Sequence, residues 1–229
     1  MKLISADLSP YSAKVRMQIY AMGLTDVEID LPPEVLIGKL REISPIGRIP
    51  VLQTDSETIP ESEVIAEYLD EMYPEKAIVG SNPQERAVVR LISRIADVYL
   101  MNNIFMALSQ LDPGTRVDAV LDLLMGQVVR GMGALEQHIG TGNYAVGDTL
   151  TRADCTLVPA LFMCEHTVPR LGVENPIEAT DKVAAYWQKI QKNEFAIKVM
   201  VEMVRGMKAR LDGSEKKMVE EAIAAARAG

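Results

Sequence analysis

Four short stretches of the chain hold residue types that can do chemistry. Ser9-Pro10-Tyr11-Ser12 sets two hydroxyls and a phenol at the junction between a β-like run and a helical pattern. A side chain there projects beyond the strand end and faces the positive pole of the helix, which favours a bound anion. Ile49-Pro50 stands at the start of another β-like run, where proline is tolerated as the first residue or in cis. Glu61-Ser62 opens a further helical pattern, and a hydroxyl beside free backbone N–H groups binds a carboxylate well. Thr151-Arg152-Ala153-Asp154 has the Thr-x-x-Asp spacing of a capping box, a structural device that starts a helix. The first and third stretches also have a purely structural reading: Ser9 and Ser12 suit the N-cap of the helix that follows them, and Glu61 and Ser62 suit any helix start.

Other chemistry lacks residues to rest on. No cysteine precedes Cys155, which excludes dithiol redox work and a cysteine nucleophile from the first half of the chain. Cys155 and Cys164 stand nine apart in one helical pattern, a spacing that by itself neither closes a disulfide nor holds a metal, and they read as buried small hydrophobes. His138 and His166 have no acidic or cysteine companion at ligand spacing, so no metal is expected. The 13 methionines read as core filler, with Met101, Met106 and Met163 suited to line an adaptable apolar cleft.

The elements that must position these residues change character near residue 76. Residues 2–5 form a short strand pattern, and 10–23 carry Val15, Ile19 and Met22 at helical spacing up to Gly23. A second strand is expected over 27–31, then Pro32-Pro33 breaks the chain and 34–43 reads as a helix with Gly38 inside it. Residues 49–52 read as a third strand, joined to Thr58-Ile59 through the turn residues Thr54-Asp55-Ser56-Glu57. Residues 61–73 place Val64, Ile65, Tyr68, Leu69 and Met72 on one helical face and stop before Pro74. The order βαβαββα, with a parallel βαβ unit before an antiparallel pair, predicts an α/β thioredoxin-like domain over residues 1–76 around a mixed four-stranded sheet. After a linker at 77–82, residues 83–229 read as an all-α helical bundle. Its helices are expected from 83 to about 110, up to His138, from Thr151, near 180–192 and near 195–208, with an extended tail from Ser214.

The composition agrees with a soluble globular chain. Of 229 residues, 48% are hydrophobic and 24% charged, which excludes disordered, collagen-like and disulfide-stapled classes. Thirty-two acids against 24 bases give a net charge of −8, and no Lys/Arg cluster offsets it, so nucleic acid is not an expected partner. The first residues hold too short an apolar run for a signal peptide, and no stretch of about 18 apolar residues suggests a membrane span, so a cytoplasmic protein is expected.

Three segments, in order and at matching spacing, resemble the cytosolic glutathione transferases over nearly the whole chain. Ser44-Pro45-Ile46-Gly47-Arg48-Ile49-Pro50-Val51-Leu52 is similar to that family's Asn-Pro-x-Gly-x-Val-Pro-x-Leu signature, with Ser44 in place of the usual Asn. Ile59-Pro60-Glu61-Ser62, followed by Val64-Ile65 and Tyr68-Leu69, resembles its glutathione-binding element. Tyr144-Ala145-Val146-Gly147-Asp148 leading into Thr151 and Asp154 is similar to the motif of its helical second domain.

The resemblance implies a role for each residue. Ser9, with Lys14 five positions on, matches the activating serine of serine-type classes such as tau and zeta, and Ser12 and Tyr11 stand as its substitutes. A serine holds its own proton too tightly to act as base, so it would donate a hydrogen bond to the glutathione thiolate. Lowering a thiol pKa is worth about 1.36 kcal/mol per unit, and one charge-assisted hydrogen bond of about 1.5–3 kcal/mol covers the change to neutrality. Ile49 would pair its backbone with the cysteinyl unit, with Pro50 in cis. Ser62 and Glu61 would hold the γ-glutamyl end, and Arg48 and Lys39 are candidates for the glycine carboxylate, Arg48 reading equally as a solvated strand-end charge. Ser9-Pro10-Tyr11 is closer to the tau pattern and to bacterial etherase-type members than to the Ser-Ser-Cys run of zeta isomerases. Implied overall is a homodimeric transferase that uses glutathione as co-substrate against a small hydrophobic electrophile. The tail after about residue 210, longer than in many members, would cover the electrophile site or dock a partner subunit. The alternatives are a glutathione-dependent isomerase or ether-cleaving enzyme, and a non-catalytic binding protein of the same fold.

Overall fold

A computed structural model of the protein describes residues 1–228, without the side chains of residues 34 and 226–228. The first 77 residues follow the expected order. Strand β1 (Lys2–Ile4) leads into helix α1 (Pro10–Ala21), where Pro10 takes the first helical position that tolerates a missing N–H, and Gly23 at φ 61 ends the segment. After β2 (Glu28–Asp30), the expected single helix over 34–43 is instead two turns, α2 (Pro33–Leu36) and α3 (Leu40–Ile43). Gly38, at φ 85, lies between them in a conformation that no helix contains. Then come β3 (Val51–Gln53), β4 (Thr58–Pro60) and α4 (Ser62–Met72).

The four strands form one mixed sheet in the order β2-β1-β3-β4. β1 runs parallel to β2 and antiparallel to β3, and β4 is antiparallel to β3. The sheet is held by fully buried Leu3, Ile4, Val51 and Leu52, against which Ile65 and Leu69 of α4 and Val15 and Ile19 of α1 contribute to the core. Two local expectations need correction. In α4 the face read as apolar is only partly covered, since Val64 and Met72 are each 51% exposed. In α1 burial is not confined to one stripe: every residue from 12 to 19 is buried, including Lys14, Arg16 and Gln18, because each of these polar groups meets a distant partner.

The second unit is helical. Asn82 caps α5 (Pro83–Ile95), its Oδ1 accepting from the Glu85 amide at 2.9 Å. The helix runs on through a π-helical stretch, Ala96–Met101, into α6 (Asn102–Ala107). Asn103 Nδ2 donates to the carbonyls of Val98 and Tyr99 at 2.8 and 3.0 Å, satisfying acceptors that the widened turn leaves off-register. Helix α7 (Asp118–His138) crosses close to this stretch at Gly131, where a Cβ would stand 2.6 Å from Tyr99 Cβ. The stretch Pro83–Gln110 is long and apolar enough to cross a membrane by length and composition, but 56% of its most apolar window is buried inside the protein, as in a core helix. Helix α8 (Arg152–His166) opens on Thr151 and Asp154 as the capping-box spacing predicts, and α9 (Asp181–Ile190) follows. Asp154 is fully buried and accepts four hydrogen bonds: from the Thr151 amide (2.8 Å) and hydroxyl (3.2 Å), the Ala145 amide (2.8 Å) and the Tyr186 hydroxyl (3.0 Å). Cys155 and Cys164 are buried in α8, and burial pushes the Cys164 thiol up to about 12.

No helix or strand covers residues 77–82, and at the carboxy terminus the division of the chain differs from the expected one. Among the described residues, 78–197 form one unit, while 1–77 and those from 198 onward form the other. Helix α10 (Glu194–Leu211) therefore gives most of its length, and α11 (Ser214–Ala228) all of it, to the sheet-containing unit rather than to the helical one. Helix α11 packs on α2. The reason is physical: the buried Arg16 and the loop after β1 find their charge partners on α10.

Candidate functional site

Strand register alone gathers most of the candidate residues. Ile4 ends β1 and stands opposite Val51, which starts β3, and Val51 in turn stands opposite Pro60, which ends β4. The segment that runs from Ser5 to Ser9, the dipeptide Ile49-Pro50 and the dipeptide Glu61-Ser62 thus all emerge at one end of the sheet. That end lies beyond the carboxyl termini of β1, β2 and β4, where open α/β sheets bind ligands.

Helices α1 and α4 both begin there, and buried polar contacts tie them together. Lys14, 1% exposed, makes an ion pair with Glu63 in the first turn of α4, and Gln18 Nε2 donates to the Ala66 carbonyl at 2.9 Å. Two adjacent helix amino termini place two positive dipole ends at the same edge, an arrangement that favours anionic ligand groups.

Each expected residue has a definite place in this frame. Ser9 is the N-cap of α1, half-buried, with its Oγ accepting from the Ser12 amide at 3.3 Å. That bond uses one lone pair and leaves the hydroxyl proton to donate. Ser12 is fully buried and its Oγ is closed off from solvent, so of the two hydroxyls only that of Ser9 is open to a ligand. Tyr11 is half-buried. The Ile49-Pro50 peptide is cis, directly ahead of β3. Before it, Ser44-Pro45-Ile46-Gly47 closes a turn through the Gly47 amide and the Ser44 carbonyl at 2.9 Å. Ser62 is the first residue of α4 and buried, while Glu61 is exposed with φ 71 and ψ 115, a backbone conformation a side chain resists. Lys39 and Arg48 are both exposed on the 31–50 connection, which leaves from and returns to this end of the sheet, Lys39 just before α3 and Arg48 next to Ile49.

Sequence reasoning missed the partner that fixes Lys14. Its signal was an acidic residue immediately after Glu61-Ser62, which then reads as a helix-start charge rather than a lysine's counter-ion. No three His, Cys, Asp or Glu side chains gather as a metal site among the described residues.

Comparison with known proteins supplies the family. Residues 3–77 match the model of the glutathione S-transferase N-terminal domain, and residues 95–194 that of the C-terminal domain. A maleylacetoacetate isomerase of Pseudomonas aeruginosa is 32% identical over 177 residues, spanning 72% of this chain and 82% of that protein. Glutathione S-transferase U6 of Arabidopsis thaliana is 26% identical over 208 residues, spanning 89% and 88%. In fold, the chain is similar to a glutathione S-transferase from Methylobacterium radiotolerans in complex with glutathione sulfonate, with a TM-score of 0.75 and 19% identity over 86% of this chain and 93% of that one. Two domain matches in the right order, carried by a mixed thioredoxin-like sheet and a following helical unit, make this chain a member of the glutathione S-transferase superfamily.

Proposed function

We propose that the protein is a glutathione-dependent enzyme that ionises the thiol of glutathione with the hydroxyl of Ser9 and directs the thiolate at a small hydrophobic electrophile. The observation that carries this reading is the gathering of Ser9, the cis Ile49-Pro50 peptide and Glu61-Ser62 at one end of the sheet, beside two helix amino termini. In this reading Ser62 and the α4 amino terminus take the γ-glutamyl carboxylate, Glu61 takes its ammonium, the Ile49 backbone pairs with the cysteinyl unit, and Arg48 and Lys39 take the glycine carboxylate. Catalysis then comes from thiolate stabilisation and from holding two reactants together, with no covalent enzyme intermediate. The reading includes a cytoplasmic homodimer. Leu91, Val98 and Phe105 remain exposed on the helical unit, apolar surface of the kind a partner covers.

The likeness to a maleylacetoacetate isomerase favours a second reaction at the same site. There the thiolate would add to a carbonyl-activated cis alkene, the former double bond would rotate, and elimination would return glutathione unchanged. Incubating the protein with glutathione and either an activated aryl halide or a cis keto-enoic acid separates the two. Thioether formation with loss of glutathione supports the transferase, and cis-to-trans conversion without loss supports the isomerase. For whichever reaction runs, Ser9→Ala should lower kcat/KM by about 10- to 150-fold, the equivalent of one charge-assisted hydrogen bond. Activity with neither compound, or no effect of Ser9→Ala, contradicts the proposal.

A further inference from the structure

Arg16 is 2% exposed and commits its donors to one loop and one helix. Nη1 donates to Ser5 Oγ at 2.6 Å and to the Ala6 carbonyl at 2.9 Å, and Nη2 donates to the Asp7 carbonyl at 2.9 Å. Its Nε donates to Glu202 Oε2 of α10 at 2.7 Å, and the other oxygen of Glu202 accepts from the Tyr20 hydroxyl at 2.8 Å. The same helix grips the loop a second time: Arg205 Nε and Nη2 form a two-point fork on the Asp7 carboxylate at 2.6 and 3.0 Å. At Gly206 the helix backbone comes so close that a Cβ would stand 2.6 Å from the Leu8 nitrogen and 2.9 Å from both Asp7 Cβ and Leu8 Cβ.

Residues 5–8 are thus held from α1 by Arg16 and from α10 by Glu202, Arg205 and Gly206. The residue that follows is Ser9, whose amide donates to the Ala6 carbonyl at 3.1 Å, the same oxygen that Arg16 binds. Capping α1 needs only a serine with an extended backbone. A buried ion pair with so many aligned donors adds little stability over a well-packed apolar contact, but it fixes geometry closely. Geometry is what a hydroxyl needs when it must stand about 3 Å from a sulfur, since a displacement of about 1 Å takes a hydrogen bond out of range.

We propose that α10, through Glu202, Arg205 and Gly206, is a positioning element for Ser9, holding the loop at residues 5–8 so that the serine hydroxyl meets the glutathione thiolate. The inference rests on the thiolate reading of Ser9 given above. Its test is the ultraviolet thiolate absorbance of bound glutathione against pH, in the full-length wild type, Gly206→Ala, Arg205→Glu, Arg205→Glu with Asp7→Arg, and Ser9→Ala. Arg205 is 65% exposed, so its replacement removes the fork and leaves the packing of α10 in place even where Gly206→Ala disturbs folding. Each single α10 variant should raise the ionisation midpoint by about half to one pH unit, three- to tenfold less thiolate near neutrality, with glutathione affinity changed less. The double variant, which restores opposite charges, should return the midpoint towards wild type. Midpoints unchanged in both α10 variants while Ser9→Ala raises its own would overturn the positioning role alone and leave the serine reading standing. A midpoint unmoved by Ser9→Ala would overturn both.

Discussion

Glu61 stands in backbone strain where the proposed γ-glutamyl subsite lies, and among the described residues it is the one non-glycine with positive φ. Such a conformation costs about 1–3 kcal/mol and persists where neighbouring structure or function demands it. Glu61→Gly should therefore leave the thermal midpoint unchanged or raised, while weakening glutathione binding about tenfold through loss of the ammonium contact. Calorimetric titration together with thermal unfolding checks both halves, and a lowered midpoint with unchanged affinity would contradict the assignment. The Glu61-Ser62 pair was legible in the sequence because residue type and helix start coincide. The strain was not, because glutamate carries no local signal for positive φ. Ser9 is preferred to Ser12 on the family resemblance, since both are serines at a helix start; burial adds a physical reason, closing the Ser12 oxygen off while Ser9 is only half-buried.

Helices and strands were legible wherever periodicity and end signals agreed, as in α4, α7 and α8. The 34–43 segment was misread because Gly38 can be tolerated in a helix or can end one, and the choice of φ 85 is made by tertiary structure. In α1 the amphipathic pattern misled for a different reason: the partners that permit burial of Lys14 and Arg16 lie 49 and 186 residues away in the chain. Asp154 shows the opposite case, a buried charge announced by its Thr-x-x-Asp spacing. Asp154→Ala removes the cap and strands the buried donors of Ala145 and Tyr186, which should cost about 2–4 kcal/mol. Urea unfolding measures this directly, and a loss below about 1 kcal/mol would show that the four hydrogen bonds contribute little beyond a plain cap.

At the scale of the molecule, the two-domain order was readable from the change of pattern near residue 76, but the destination of the carboxy-terminal helices was not. An apolar face says that a helix is covered, not by what, and α10 and α11 belong with the sheet-containing unit. Ending the chain after Gly213 deletes α11 and uncovers α2, so exchange of the hydrogen-bonded Val35 and Ile37 amides should quicken by about an order of magnitude while α7 and α8 keep their protection. Equal loss of protection in both units would contradict the division. In the proposed mechanism one end of a four-stranded sheet binds glutathione, and Ser9 ionises it there. The most direct test compares wild type with Ser9→Ala in the ultraviolet thiolate absorbance of bound glutathione across pH. Ionisation near neutral pH in wild type, displaced towards the free thiol value of about 8.5 in a variant that still binds glutathione, is the expected result. Identical titration in the two proteins, or no binding of glutathione by the wild type, would contradict it.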